Sequence, residues 1–405
     1  MTEIDRPDTE HPDTEALAYN LTELDDGVSI EDLPKVSLHD HLDGGLRPQT
    51  IIDIATRLGI ELPTTDADEL ADWFYDQCSD GSLEEYLKTF ELTVAVMQHP
   101  EDLRRVAREW VLDLAEDGVI YGEARWAHEQ HLTGGLTLEA AVQAVQTGLD
   151  DGVAETIMSG GDIRVGQVLC AMRQGERSAD IARLALHFRD AGVVGFDLAG
   201  PEDGFPAEEH AEAFEILSEA MFPTTVHAGE AAGVDSVRGA LIAGNALRLG
   251  HGTRLAEDVT VEDQDDEQVS VSLGRTAQWV KDRGIALEMC PSSNLQTAAW
   301  GEELEDHPFD IFYQLGMAVT VSPDNRLMSD TSVSRELGLL VEAFDYDLED
   351  LLNFQLNAAG AAFLPMEDRL ELMERISVGF ALVLRRTYGL DDEDFDEDDF
   401  EGLDD

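Results

Sequence analysis

Eight short runs, most of them rich in Val, Ile or Leu, recur along the chain, separated mainly by stretches patterned as amphipathic helices. They occupy 35–41 (KVSLHDH), 119–126 (VIYGEARW), 163–172 (IRVGQVLCAM), 193–200 (VVGFDLAG), 224–230 (TTVHAGE), 246–252 (ALRLGHG), 285–293 (IALEMCPSS) and 318–325 (AVTVSPDN). A buried strand followed repeatedly by a helix builds a parallel sheet, because each crossover covers a face of it. Eight such units predict an α/β fold of the (β/α)8 TIM-barrel type. A doubly wound open sheet would need a glycine-rich phosphate turn after its first strand, and no G-x-G-x-x-G follows 35–41. No repeat of roughly 20–50 residues suggests a solenoid or propeller. Residues 46–118 exceed one crossover helix and predict a helical cap inserted after strand 1. Residues 256–275 read as an acidic surface insertion. The organisation expected is an acidic N-terminal arm over 1–32, the barrel over 33–390 and a disordered acidic tail over 391–405.

Charge narrows the possible partners. The chain has 87 Asp and Glu against 26 Lys and Arg, a formal net charge of −61, and its only lysines are Lys35, Lys88 and Lys281. Such a surface repels phosphate backbones and anionic headgroups, so neither nucleic acid nor membrane is an expected partner. The ends carry only part of the excess. Residues 391–405 hold eleven carboxylates and no cation, residues 1–32 hold eleven carboxylates and Arg6, and the body between keeps a net charge near −40. Acid spread over a whole fold suits a protein hydrated in concentrated salt, where the Debye length falls to ~3 Å and self-repulsion is screened. A halophilic cytoplasm is therefore the expected setting. Cys78, Cys170 and Cys290 lie far apart without C-x-x-C spacing, which argues against a disulfide framework or a thiolate zinc site. The polar start MTEIDRPDTE lacks a signal-peptide pattern, and no uncharged run is long enough to span ~30 Å of bilayer.

The residues able to do chemistry gather at the C-terminal ends of the runs: His39 and His41, Gly200, His227 and Glu230, His251, and Asp324. Barrel active sites are built on that face, where the βα-loops converge. In His39-Asp40-His41 the two imidazoles stand two residues apart on a strand and so aim into one space. An isolated H-x-H is as easily a polar turn, and a lone strand-end His is more often a satisfied polar residue. The weight lies in the combination of His39, His41, His227 and Asp324, with His251 and Glu230 beside them. Nitrogen and oxygen donors of this kind suit zinc with an open position for water. His128-Glu129-Gln130-His131 imitates H-E-x-x-H, but its histidines are three apart rather than four, so no metal is expected there. His11, His99, His187, His210 and His307 read as ordinary polar residues.

PKVSLHDHLDGGLRP (34–48) resembles the first-strand signature of the adenosine deaminase family. GEARW (122–126), DLAG (197–200), HAGE (227–230), RLGHGTRLAED (248–258), CPSSN (290–294) and SPDNRLMS (322–329) follow in that family's order, so the resemblance covers nearly all of the folded chain. It implies a metal-dependent amidohydrolase barrel with one Zn2+ per subunit, held by His39, His41, His227 and Asp324. It further implies that His251 orients or deprotonates the attacking water and that Glu230 hydrogen-bonds purine N1. The Gly200 N–H would face N3, Asp43 would contact the ribose, and His41 would also bind substrate. The implied reaction is hydrolytic deamination of a purine nucleoside, adenosine and 2′-deoxyadenosine, to inosine-type products and ammonia, as in purine salvage. Two positions depart from the family pattern. Asn325 stands where many members carry an Asp opposite N7, and Pro323 where Thr is frequent. An Asn amide can donate to N7 at every pH, whereas a carboxyl must be protonated to do so, and Asn325 is expected to make that contact. Deaminases of adenine, methylthioadenosine or AMP are the nearest alternatives; the scarcity of lysine argues against AMP, and DLAG favours a nucleoside. An inactive acidic binding protein on the same fold would be expected to have lost part of the metal set. A hydrolase of esters or amides would have no use for Glu230 aimed at a ring nitrogen.

The fold and activity should be weak at low ionic strength and firm near molar salt, and removing residues 391–405 should leave that dependence in place. Thermal unfolding across a salt series checks both, and full stability in dilute buffer would refute the halophilic expectation.

Overall fold

The computed structural model describes residues 22–389 except 25, 26, 80, 265–268 and 302. All eight runs become strands: β1 Lys35–His41, β2 Val119–Trp126, β3 Arg164–Met172, β4 Val193–Ala199, β5 Thr225–Ala228 and β6 Arg248–His251, then, after a hairpin of β7 Val259–Gln264 and β8 Val269–Leu273, β9 Ala286–Met289 and β10 Val319–Val321. One parallel sheet runs β1-β2-β3-β4 and the other β10-β9-β6-β5. Single parallel bridges, Asp40 to Asp324 and Phe196 to Thr224, join them at both seams and close a (β/α)8 barrel. The strands are buried on both faces, since helices wrap the outside and side chains fill the inside. Their outward residues, among them Val36, Leu38, Phe196, Val226 and Leu287, belong to one apolar core.

The cap expected after strand 1 consists of the helices Pro48–Leu58, Ala67–Cys78, Leu83–Lys88 and Phe90–Val96, ahead of the helix Pro100–Glu116 that packs on β2. Their starts have local causes. Proline occupies the first turn at Pro48 and Pro100, where no N–H is needed. Asp66 caps the helix Ala67–Cys78 by accepting from the Asp68 and Glu69 amides at 3.1 and 3.3 Å. The cap brings Phe90 to 6.5 Å from the His41 ring, measured between centroids.

Two expectations about the surface need refining. The arm expected over 1–32 lies outside the described residues as far as residue 21, but residues beyond that belong to the body. Leu24, Val28 and Ile30 are buried, and Glu23 bridges Ser29. Apolar residues spaced through an acidic segment give it a buried side that composition conceals. Lys35 ties it down, its ammonium donating to the carbonyls of Ile30 at 2.7 Å and Leu33 at 2.8 Å. The acidic insertion over 256–275 is an antiparallel hairpin, β7 with β8. The tail over 391–405 lies outside the described residues. No helix among the described residues is long and apolar enough to cross a membrane.

Candidate active site

The barrel brings the expected residues together. His39 and His41 come from β1, His227 from β5, His251 from the end of β6, and Asp324 from just beyond β10. One donor atom each from His39, His227, His251 and Asp324 lies within 4.8 Å of the others, and all four residues are buried. His41 Nε2 stands 3.2 Å from His227 Nε2 and 3.4 Å from Asp324 Oδ1. His39 Nε2 stands 3.3 Å from the same oxygen. Local backbone aims two of these groups: His251 at φ +61° and Asp324 at φ +58° adopt the left-handed region that non-glycine residues seldom enter. Gly250 keeps the histidines close, since a Cβ there would sit 3.0 Å from His227 Cα and 3.1 Å from His39 Cε1.

Hydrogen bonds from behind the rings set their tautomers. His227 Nδ1 lies 2.9 Å from Asp197 Oδ2, and His39 Nδ1 lies 2.9 Å from Glu288 Oε2. Burial alone would push both carboxyls up. For Asp197, His227 and Arg125 outweigh it; for Glu288, Arg125 and Arg248 do. Both carboxyls are thus held well below the usual range and stay ionised. Each therefore accepts the Nδ1 proton and leaves the Nε2 lone pair facing the cluster. Arg125 joins the two carboxylates, reaching Asp197 at 3.2 Å, Glu288 at 2.6 Å and the Leu38 carbonyl at 2.7 Å. His251 is set the other way. Asn294 Oδ1 accepts the Cys290 N–H at 3.4 Å, which turns its amide nitrogen toward His251 Nδ1 at 3.1 Å. The His251 proton is then on Nε2, 3.7 Å from Glu230 Oε2. Distance groups His251 with the other rings, but it presents an N–H where they present lone pairs.

The cluster is built for a cation. His39 Nε2 and Asp324 Oδ1 are buried without a hydrogen-bond partner, a costly state for two lone-pair atoms unless positive charge lies between them. Burial and Arg125 work against a charge on the His39 ring, yet Asp324 and Glu288 together overcome them and raise its pKa. Burial lowers His41 to about 3, so that ring is a neutral donor. Ser293 donates to Asp324 Oδ2 at 2.6 Å and leaves Oδ1 free for the centre. Imidazole nitrogens with one carboxylate oxygen, and no thiolate, fit zinc.

Glu230 sits on the turn after β5. The Glu202 carboxylate shapes that turn by accepting the amides of Gly229, Glu230, Ala231 and Ala232 at 2.6, 3.0, 2.7 and 2.9 Å. Burial first, then the Asp324 and Glu202 charges, push the Glu230 carboxyl well above its ordinary range. Its environment thus favours the protonated form.

A cavity of about 400 Å³ opens beside the cluster, lined by His41, Asp43 and Gly200 together with Leu87, Phe90 and Cys170. Of the five clustered residues, His41 alone lines it. Asp43 Oδ2 accepts the Ala127 N–H at 3.3 Å and faces His131 Nε2 at 3.4 Å, while its buried Oδ1, 3.9 Å from His41 Nδ1, has no hydrogen-bond partner. Burial would raise that carboxyl, but His131 and the Ala127 amide outweigh it and keep Asp43 an acceptor. His131, set aside as a metal ligand, is thus outside the cluster and has a supporting role that sequence reasoning missed. His128 is buried and also outside the cluster. Asn325 does not line the cavity: its side chain packs on Gly44, where an added Cβ would fall 1.9 Å from Asn325 Oδ1. Asp197, Glu288, Arg125, Glu202 and Asn294 were likewise not singled out. Asp197, Glu288 and Arg125 belong to strands already recognised, while Glu202 lies in the loop after β4 and Asn294 in the short helix Pro291–Gln296; the groups they hold are distant in sequence.

Four imidazoles, a carboxylate and a buried Glu gathered on the catalytic face of a barrel define a metal-dependent hydrolase of the amidohydrolase type. The family profile described as adenosine deaminase matches residues 34–378. Adenosine deaminase 1 of Streptomyces coelicolor is 51% identical over 354 residues, 87% of this chain and 88% of that one. Adenosine deaminase of Mycobacteroides abscessus is 47% identical over 361 residues, 89% of this chain and 98% of that one. Among solved structures, adenine deaminase from Arthrobacter aurescens aligns with a TM-score of 0.72 at 24% identity, covering 85% of this chain and 98% of that one. A zinc-bound amidohydrolase from Burkholderia ambifaria aligns at 0.76 and 22%, covering 89% and 94%; both share the fold. The chain belongs to the adenosine deaminase family.

Asp197→Asn should weaken metal binding about 10–100-fold while the barrel stays folded, because an amide no longer holds the His227 proton on Nδ1. Competition against a chromogenic chelator, with circular dichroism as the folding control, checks it; unchanged affinity would show that the carboxylate does not set the ring.

Proposed function

We propose that the protein catalyses hydrolytic deamination of adenosine and 2′-deoxyadenosine, serving purine salvage. The observation that carries this reading is Glu230, a buried carboxyl 3.7 Å from His251 Nε2 beside the donor cluster, whose surroundings favour its protonated form. Zinc, which His39, His41, His227 and Asp324 would hold, supplies Lewis-acid activation of water. As the water oxygen bonds to C6 of the purine, electron density moves onto N1, and Glu230 is the acid that delivers a proton there. The His251 Nε2–H, fixed by Asn294, is a donor that orients the attacking water. Cleavage of the C6–N6 bond, with one proton of the water passing to the departing amine and the other restoring Glu230, then releases ammonia and leaves the inosine-type product. Asp43 Oδ1 is an open acceptor for a sugar hydroxyl, and the Gly200 backbone, at φ +98°, meets the purine edge.

The same cavity argues against AMP. Its lining includes the carboxylates of Asp43 and Glu91, and no lysine or arginine among the described residues. A 5′-phosphate would meet like charge without a counter-ion, whereas a neutral nucleoside would not. A spectrophotometric comparison of adenosine, deoxyadenosine, adenine, methylthioadenosine and AMP tests the ranking. Preference for AMP would overturn it.

Glu230→Gln should keep its metal and lose roughly 10²–10⁴-fold in kcat, because an amide can hydrogen-bond N1 but cannot transfer a proton. The pH profile separates this from a structural defect. The active form is protonated, so activity is present below the raised Glu230 pKa and falls as pH climbs through it; the variant's residual activity should lack that fall. Metal loss in the variant would make Glu230 structural.

A further inference from the structure

The opposite end of the barrel carries a second cavity. It holds about 770 Å³ and is lined at the starts of the strands by Arg164, Val193, Pro223, Leu247 and Ala286, the face away from the histidine cluster. That size lies within the roughly 300–1,000 Å³ of small-molecule sites. Its wall mixes polar and apolar surface: Phe222 and Phe363 are buried against it, while Met221 and Leu247 stand 87% and 55% exposed.

Three arginines border this cavity, although acidic residues outnumber basic ones 87 to 26. Arg164 is engaged by Asp368 at 2.8 Å. Arg189 and Arg369 reach no carboxylate among the described residues. Arg189 lies over the Phe222 ring at 5.7 Å and contacts the Ala220 carbonyl at 3.4 Å. Arg369 donates to the Gly360 carbonyl at 2.6 Å and contacts the Met366 sulfur at 3.4 Å, while its Nε is buried without a partner. Asp190 is the one carboxylate of the lining. Elsewhere this acidic chain pairs its arginines closely, as at Arg183 with Glu212 and Arg335 with Asp330. Guanidinium groups without such partners beside the Phe222 and Phe363 rings form a receptor of mixed character. The N–H groups suit an oxyanion, and the aromatic and aliphatic surface suits a flat apolar body.

We propose that this cavity is a binding site for a small organic anion, a phosphate or carboxylate head on a flat apolar body, held by Arg189 and Arg369. Isothermal titration with phenyl phosphate tests it, with phenol and inorganic phosphate as the two halves of the probe. Phenyl phosphate should bind one per chain, at least about tenfold more tightly than either half. Arg189→Gln and Arg369→Gln should each weaken it about tenfold or more, with adenosine turnover and thermal midpoint unchanged. If Arg369→Gln fails to fold, Arg189→Gln decides, since its side chain is exposed and its replacement empties no core. Undiminished binding by Arg189→Gln, displacement of phenyl phosphate by an adenosine-site inhibitor, or equal affinity for inorganic phosphate would each overturn the proposal.

Discussion

Arg125 lies fully buried inside the barrel, between the carboxylates of Asp197 and Glu288, and the chemical state of the metal centre follows from that position. Two anions placed in a protein interior would each draw a proton and cease to act as acceptors. The guanidinium opposes this at both at once, together with His227 at Asp197 and Arg248 at Glu288. Ionised, Asp197 and Glu288 fix the Nδ1 protons of His227 and His39, and the opposite nitrogens face the cluster as lone pairs that fit a metal. Arg248 reinforces the arrangement from below, pairing with Glu288 and Glu123 while stacking over Phe363 at 3.5 Å. Removing one partner of such a buried set typically costs about 3–5 kcal/mol, because the charge left behind stays dehydrated.

This polar interior differs from the layers of Val, Ile and Leu that usually fill a barrel. Stability therefore rests mainly on the shell between strands and helices, where apolar residues from every barrel strand join one core. The inside of the barrel is spent on organising the site. Its parts need rigid support, and they have it: Ser293 holds Asp324, Asn294 holds His251, and Glu202 holds the Glu230 turn through four amides. The strain of two positive-φ residues at the centre persists because these partners over-determine their positions.

The barrel was readable in the sequence because buried parallel strands are short, apolar and regularly interrupted, and because strand ends collect the reactive side chains. His39 and His41 follow from the two-residue period of a strand, and His227, His251 and Asp324 from their place at the ends of other runs. The supporting residues were not readable for the same physical reason in each case. Asp197 with His227, Glu288 with His39 and His131 with Asp43 meet only after the barrel closes, and nothing in their local sequence marks the pairing. The N-terminal boundary was hidden differently, since the acidity around Leu24, Val28 and Ile30 dominated the composition while their burial depends on Lys35 and the strand it begins.

The acidic character of the chain acquires a direction once the two ends of the barrel are compared. At the catalytic mouth the cavity is lined by Asp43 and Glu91, with the neutral His41 between it and the cluster. Such a mouth repels anions and leaves recognition to hydrogen bonds and apolar contact, which suits an uncharged nucleoside and lets an uncharged product leave. At the opposite end, scarce arginines gather where few carboxylates compete for them. Burial of a guanidinium is costly unless it is paired or stacked, and Arg125 and Arg248 meet that condition within the barrel. Arg189 and Arg369 lie at the rim of the far cavity, Arg189 over the Phe222 ring, and have no carboxylate partner among the described residues. The same excess of acid that screens the catalytic mouth from phosphates therefore makes the far end the more receptive surface for an organic anion.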